Sequence, residues 1–142
     1  MEAVVIDANF GVALACPLPY SPTCRAQVEN WLQQYTQITV PALWDYEIIS
    51  ALRKLLAQNL LSHELALAGL GQVFRLPVER VLVDQELALE SLSWAHRLGQ
   101  MVAYGAHYLA LSARLNLLFY TANRRLFNRC KDLQIDFVNL VE

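Results

Sequence analysis

Met1-Glu2-Ala3-Val4-Val5-Ile6-Asp7-Ala8-Asn9 opens the chain with an apolar run that stops at a carboxylate. Val4, Val5 and Ile6 are β-branched and favour an extended backbone. A run without alternation suits a strand covered on both faces, as in the middle of a parallel sheet. Asp7 then stands at the strand's carboxyl end, where open α/β sheets place their ligand sites. Two readings stand for it: a site carboxylate, or the cap of the helix that follows.

Downstream, the same kind of unit recurs. Ala8–Ala15 suits a short helix. Pro17, Pro19 and Pro22 break regular helix through residues 16–23, so the next helix is expected at about Cys24–Tyr35, capped by Ser21 or Thr23. Ile38-Thr39-Val40 reads as a strand closed by Pro41. A long helix follows over about 42–58, with Trp44, Ile48, Ala51, Leu52 and Leu55 on one stripe. Glu47 lies on the edge of that stripe. It is either a rim glutamate paired with Arg53 or Lys54, or an acid looking into a cleft.

A further helix starts at Ser62 and runs to about Phe74, where Gly69 and Gly71 imply a bend or a close helix contact. Residues 77–83 read as a strand, Asp84 as an N-cap, and residues 85–98 as a helix ending at Gly99. Residues 103–115 are apolar nearly all round and predict a buried helix. Leu117–Tyr120 is the next strand, and Thr121-Ala122-Asn123 again puts polar groups at a strand's end. A helix over 124–130 and a strand over 135–138 close the chain. The alternation predicts an α/β sandwich with a mainly parallel sheet of about five strands, in one domain over residues 1–142.

Composition narrows the function classes. The 142 residues are 56% apolar and 17% charged, against a disordered chain, and the net charge of −2 gives no overall basic field for nucleic acid. Cys16, Cys24 and Cys130 form no Cys-x-x-Cys pair and read as buried reduced thiols of a cytoplasmic protein. No basic segment precedes the first apolar run, so a signal peptide is not expected, and no uncharged stretch is long enough to span a membrane. Phosphate-binding glycine loops and the G-x-S-x-G elbow are absent from the sequence. What remains is a scatter of oxygen donors, Asp7, Asn9, Glu47, Thr121 and Asn123, of the kind that hard cations such as Mg²⁺ and Mn²⁺ prefer.

Four blocks, Val4–Asn9, Pro41–Lys54, Ala103–Arg114 and Thr121–Arg129, resemble in order and spacing the signature blocks of the PIN-domain family, which includes the VapC-like toxins of toxin–antitoxin pairs. The resemblance implies a three-layer fold with helices on both faces of the sheet, a homodimer, an antitoxin partner, and Mg²⁺- or Mn²⁺-dependent cleavage of RNA. It matches the family's first acid to Asp7, with Asn9 as the small polar residue beside it, and the second acid to Glu47. The third acid's place is taken by Gly105. The closing block has Thr121 and Asn123, with Leu126 where a further acid often stands. By this resemblance Asp7 and Glu47 bind the metal, Asn9 and Thr121 orient ligands, Asn123 offers a neutral oxygen, and half of the acidic set is missing. Two carboxylates balance one divalent ion but not two, so weak metal binding and a slow or absent reaction are both open, as is a catalytically inactive module that binds RNA or a protein. His107 is a possible base or a packed histidine. Arg124, Arg125 and Arg129 are either an RNA-phosphate contact or a solvated face. Trp31, Tyr35 and the region Leu60–Phe74 supply either an interaction surface or core.

Overall fold

The computed structural model describes residues 2–142. The first run folds as β1 (Ala3–Ile6) and is the middle strand of a five-stranded, all-parallel sheet. Val5 and Ile6 have no exposed surface. β2 (Gln37–Pro41) lies on one side of β1 and β4 (Leu118–Thr121) on the other, with β3 (Val78–Val81) and β5 (Val138–Leu140) at the edges. Val5 stands opposite Thr39 on one side and Phe119 on the other.

This strand order has a direct consequence for the helices. The chain steps from β1 to β2 to β3 in one direction, then returns past β1 to β4 and β5. Right-handed crossovers therefore put the helices of the two halves on opposite faces. α1 (Ala8–Ala15), α2 (Ser21–Gln33), α3 (Leu43–Ala57) and α4 (His63–Phe74) cover one face, where α1 packs against each of the other three. α5 (Gln85–Leu98) packs on α6 (Tyr104–Leu115) over the other face. α7 (Arg124–Asp132) joins that layer, with Arg129 Nε donating to the Leu98 carbonyl at 3.0 Å. The reversal falls between β1 and β4, which makes their carboxyl ends the switch point where a crevice opens.

Most element boundaries agree with the sequence within a residue or two. Asp84 caps α5, its side chain accepting from Leu87 N at 2.7 Å, and Gly99 ends α5 at φ 69°, in the left-handed region. Two expectations are corrected. α2 begins at Ser21, not Cys24, with Pro22 in its first turn, where a helix needs no N–H from that residue. Ser21 Oγ instead accepts from Leu18 N and donates to the Cys16 carbonyl, stitching the proline loop. The last strand covers 138–140 and not 135–138. Gln134 takes a left-handed conformation at φ 59°, and Ile135 N donates back to the Cys130 carbonyl at 2.9 Å. Ile135 is thus the buried apolar residue of a helix-ending motif.

Gly69 marks the close helix contact. A Cβ there would lie 1.9 Å from the Ala15 carbonyl oxygen at the end of α1. Since that neighbour is backbone, Gly69→Ala is expected to push α4 off α1 and cost about 2–3 kcal/mol, read as a lower urea midpoint with an unchanged slope. The corresponding change at Gly71, which has nothing within 4 Å, serves as the control and is expected to raise the midpoint slightly, since alanine forms helix better than glycine.

Candidate active site

Asp7 is the first residue past β1 and caps α1: its Oδ1 accepts from Phe10 N at 2.9 Å. The cap reading therefore holds, and the second oxygen is engaged elsewhere: Oδ2 accepts from the Thr121 hydroxyl at the end of β4. Thr121 Oγ1 in turn accepts from Asn123 N at 2.9 Å. From α3, in the same layer as α1, the indole Nε1 of the fully buried Trp44 donates to the Asp7 carbonyl at 2.9 Å. The residue is 5% exposed and held from three elements, its carboxylate by Phe10 and Thr121 and its carbonyl by Trp44. Burial pushes its pKa up to about 6, with the nearby Glu47 charge adding to the rise against the hydrogen bonds that lower it.

Glu47 sits on α3, one turn after Trp44, and is half-buried. It pairs with neither Arg53 nor Lys54. Its Oε1 accepts from the Tyr108 hydroxyl on α6 at 2.5 Å. Burial raises the Glu47 pKa as well, against this hydrogen bond. Tyr108 is itself buried and stacks on Phe119 with ring centroids 5.7 Å apart. Its phenol is raised by its own burial, then by the Glu47 charge, so it remains a donor.

A cleft of about 830 Å³ opens here, lined by Asp7, Asn9, Glu47, Gly105, Asn123 and Arg125 among others. Three loops meet in it: the β1–α1 turn, the 99–103 segment after α5, and the β4–α7 turn. Asn123 lines the cleft but also caps α7, its Oδ1 accepting from Leu126 N at 3.1 Å. Thr121 is fully buried and acts through Asp7. The arginines divide. Arg125 and Arg129 line the cleft, though Arg129 is tied to the Leu98 carbonyl. Arg124 instead pairs with Glu142 at 2.5 Å. Burial lowers the His107 pKa, and His107 is not among the residues lining the cleft.

Tyr108 and Trp44 are the residues that sequence reasoning missed here. Helical spacing contains the signal for the first: Tyr108 is three residues past Gly105 and shares its face, whereas His107 is two past and points elsewhere.

The residues fit one divalent cation. Among the described residues, no salt bridge reaches Asp7 or Glu47, although both are desolvated and each is oriented by a donor. Each carboxylate retains accepting capacity, and their summed charge matches one doubly charged ion. Among the described residues, no group of three or more His, Cys, Asp or Glu that could hold a metal gathers; Asp132 also lines the cleft but joins no such group. Among the described residues, no helix is long and apolar enough to cross a membrane. Of the surface candidates, Trp31 is core, stacked on Phe10, while Tyr35, Leu60, Leu65, Leu67 and Phe74 are exposed.

No protein-family model matches the chain, and no curated protein does. Solved structures do. VapC20 of Mycobacterium tuberculosis, a sarcin-ricin loop cleaving toxin, is 15% identical over 84% of this chain and 87% of its own, with a TM-score of 0.61. PAE2754 of Pyrobaculum aerophilum is 22% identical over 91% of this chain and 79% of its own, with a TM-score of 0.67. The five parallel strands, the order of the helices and this likeness identify the fold as the VapC-like PIN-domain fold.

Proposed function

We propose that this protein is a ribonuclease of the VapC-like toxin type, dependent on Mg²⁺ or Mn²⁺, with a site reduced to Asp7 and Glu47. The observation that carries the reading is the pair of desolvated carboxylates without a salt-bridge partner, set at the switch point of this fold. A bound divalent ion supplies Lewis-acid assistance to phosphodiester hydrolysis. The chain's own groups do the rest. Thr121 and the Phe10 N–H fix the Asp7 rotamer, and Tyr108 fixes Glu47. Asn9 and Asn123 offer neutral polar groups on the cleft wall, and Arg125 meets an RNA phosphate at its rim, with Arg124 and Arg129 extending that positive edge along α7. VapC20 is a sarcin-ricin loop cleaving toxin; on this reading, the partners of this chain are an RNA substrate, an antitoxin and a second copy in a cytoplasmic homodimer.

A second reading has its own support. Gly105 and Asn123 leave two acid positions of the PIN pattern empty, which favours a domain that binds RNA or protein without cutting. Calorimetry with Mn²⁺, followed by sequencing of the ends produced from a cellular RNA pool with and without Mn²⁺, separates the two. The nuclease reading expects one Mn²⁺ per chain and new, metal-dependent ends at defined sites. Binding without new ends supports the binding module, and no binding at millimolar Mn²⁺ overturns the metal site.

A further inference from the structure

We propose that the side-chain carboxamide of Gln100 stands beside the place left by Gly105 and gives its oxygen to the same cation as Asp7 and Glu47. The inference rests on the metal reading above. Gln100 follows the left-handed Gly99 that ends α5, and its N–H donates to the Ala95 carbonyl at 3.1 Å while that of Gly99 donates to His96 at 3.1 Å. Those bonds fix the backbone of residue 100. In this helix-ending motif the residue after the glycine is commonly apolar and packs back on its helix. Here it is an amide, and it lines the cleft with Asp7 and Glu47.

Its position relative to Gly105 is specific. A Cβ built on Gly105 would lie 3.6 Å from both Nε2 and Oε1 of Gln100, with Leu126 Cδ2 also at 3.6 Å. Both polar atoms of the amide thus lie in van der Waals contact with the point from which the missing acid would extend. The carboxamide therefore borders the vacated position without blocking it. A hard cation accepts an amide oxygen as readily in geometry as a carboxylate oxygen, without its charge. With two carboxylates already matching a divalent ion, a neutral third oxygen completes the set and leaves it uncharged overall.

The test is a double-mutant cycle on the full chain, read by Mn²⁺ calorimetry, with thermal melts in chelator to show that each variant is folded. Gln100 is exposed, so its replacement leaves the core intact. Gln100→Ala is expected to weaken Mn²⁺ binding about tenfold. Gln100→Glu is expected to tighten it. In a Gly105→Asp background the acid takes over the role, so Gln100→Ala should change affinity by less than about twofold. Wild-type affinity in Gln100→Ala, with binding still lost in Asp7→Asn, overturns the role of Gln100 and leaves the metal reading standing. An equal loss in both backgrounds overturns it too, since Gln100 would then act away from position 105. No Mn²⁺ binding by the wild type overturns both.

Discussion

Asp7→Asn is expected to abolish Mn²⁺ binding and, in chelator near neutral pH, to raise the melting temperature. The two effects have one cause. Asp7 is buried, its pKa is lifted from 3.8 to about 6, and no described cation pairs with it in the metal-free protein. Between those values the folded chain holds a proton that the unfolded chain has released, so wild-type stability falls as pH rises through the window and levels off above it. The rise of about 2 units is about 3 kcal/mol at most. Asparagine keeps the cap on α1, since its oxygen still accepts from Phe10 N, but it cannot accept from Thr121 as well; that loss takes back about 1 kcal/mol. A net gain of about 2 kcal/mol corresponds to about 4–8 °C in a chain of this size. Melts of both proteins in chelator, from pH 4 to pH 8, check it. The variant should melt slightly below the wild type at the acid end, cross it as pH rises, and hold a constant lead once pH is above about 6. Parallel curves for wild type and variant would mean that Asp7 is not held protonated by burial, and the argument that it awaits a cation would fall with them.

How far the sequence carried this reading differs between residues. The central strand was legible because Val4, Val5 and Ile6 form an unbroken β-branched run, which a parallel sheet with two helical layers buries on both faces. Asp7 was legible as a choice between a cap and a site residue; the structure makes it the cap of α1 and ties its second oxygen to Thr121, 114 residues away, a contact no local pattern carries. α2 began earlier than expected because a proline breaks a helix only beyond its first turn. Ile135 was misread because an apolar residue serves a strand and the position after a left-handed helix end alike, and only the Gln134 backbone tells them apart. Tyr108 and Trp44 looked like core, and by burial they are. Their polar ends, which reach Glu47 and the Asp7 carbonyl, carry no sequence signal that separates them from other aromatic residues of a stripe. Gln100 lies in a loop, where local pattern says nothing about what a side chain faces.

The largest gain is expected from Gly105→Asp combined with Asn123→Asp. Neither position forbids the acid. At Gly105 the nearest atoms to an added Cβ are 3.6 Å away, ordinary contact, and α6 has no acid in its first turn to compete for its positive end. Aspartate also forms helix slightly better than glycine. At Asn123 the cap on Leu126 N survives, because aspartate caps as well as asparagine, and the amino end of α7 favours the charge. The cost is electrostatic: two more carboxylates face Asp7 and Glu47, so the metal-free variant should melt below the wild type. Each added carboxylate beside a divalent ion at this depth is worth at least a factor of about ten, so the pair should bind Mn²⁺ about a hundredfold more tightly. At an Mn²⁺ concentration equal to the wild-type Kd, linkage then stabilises the wild type by about 0.4 kcal/mol and the double variant by about 2.7 kcal/mol. Mn²⁺ should therefore move the melting temperature several times further in the variant, from a lower start. A variant that melts lower in chelator yet gains no more than the wild type from Mn²⁺ would place these acids in the same cleft as Asp7 and Glu47 but not around a common ion. The single-cation site would then be wrong, whatever the chain does with RNA.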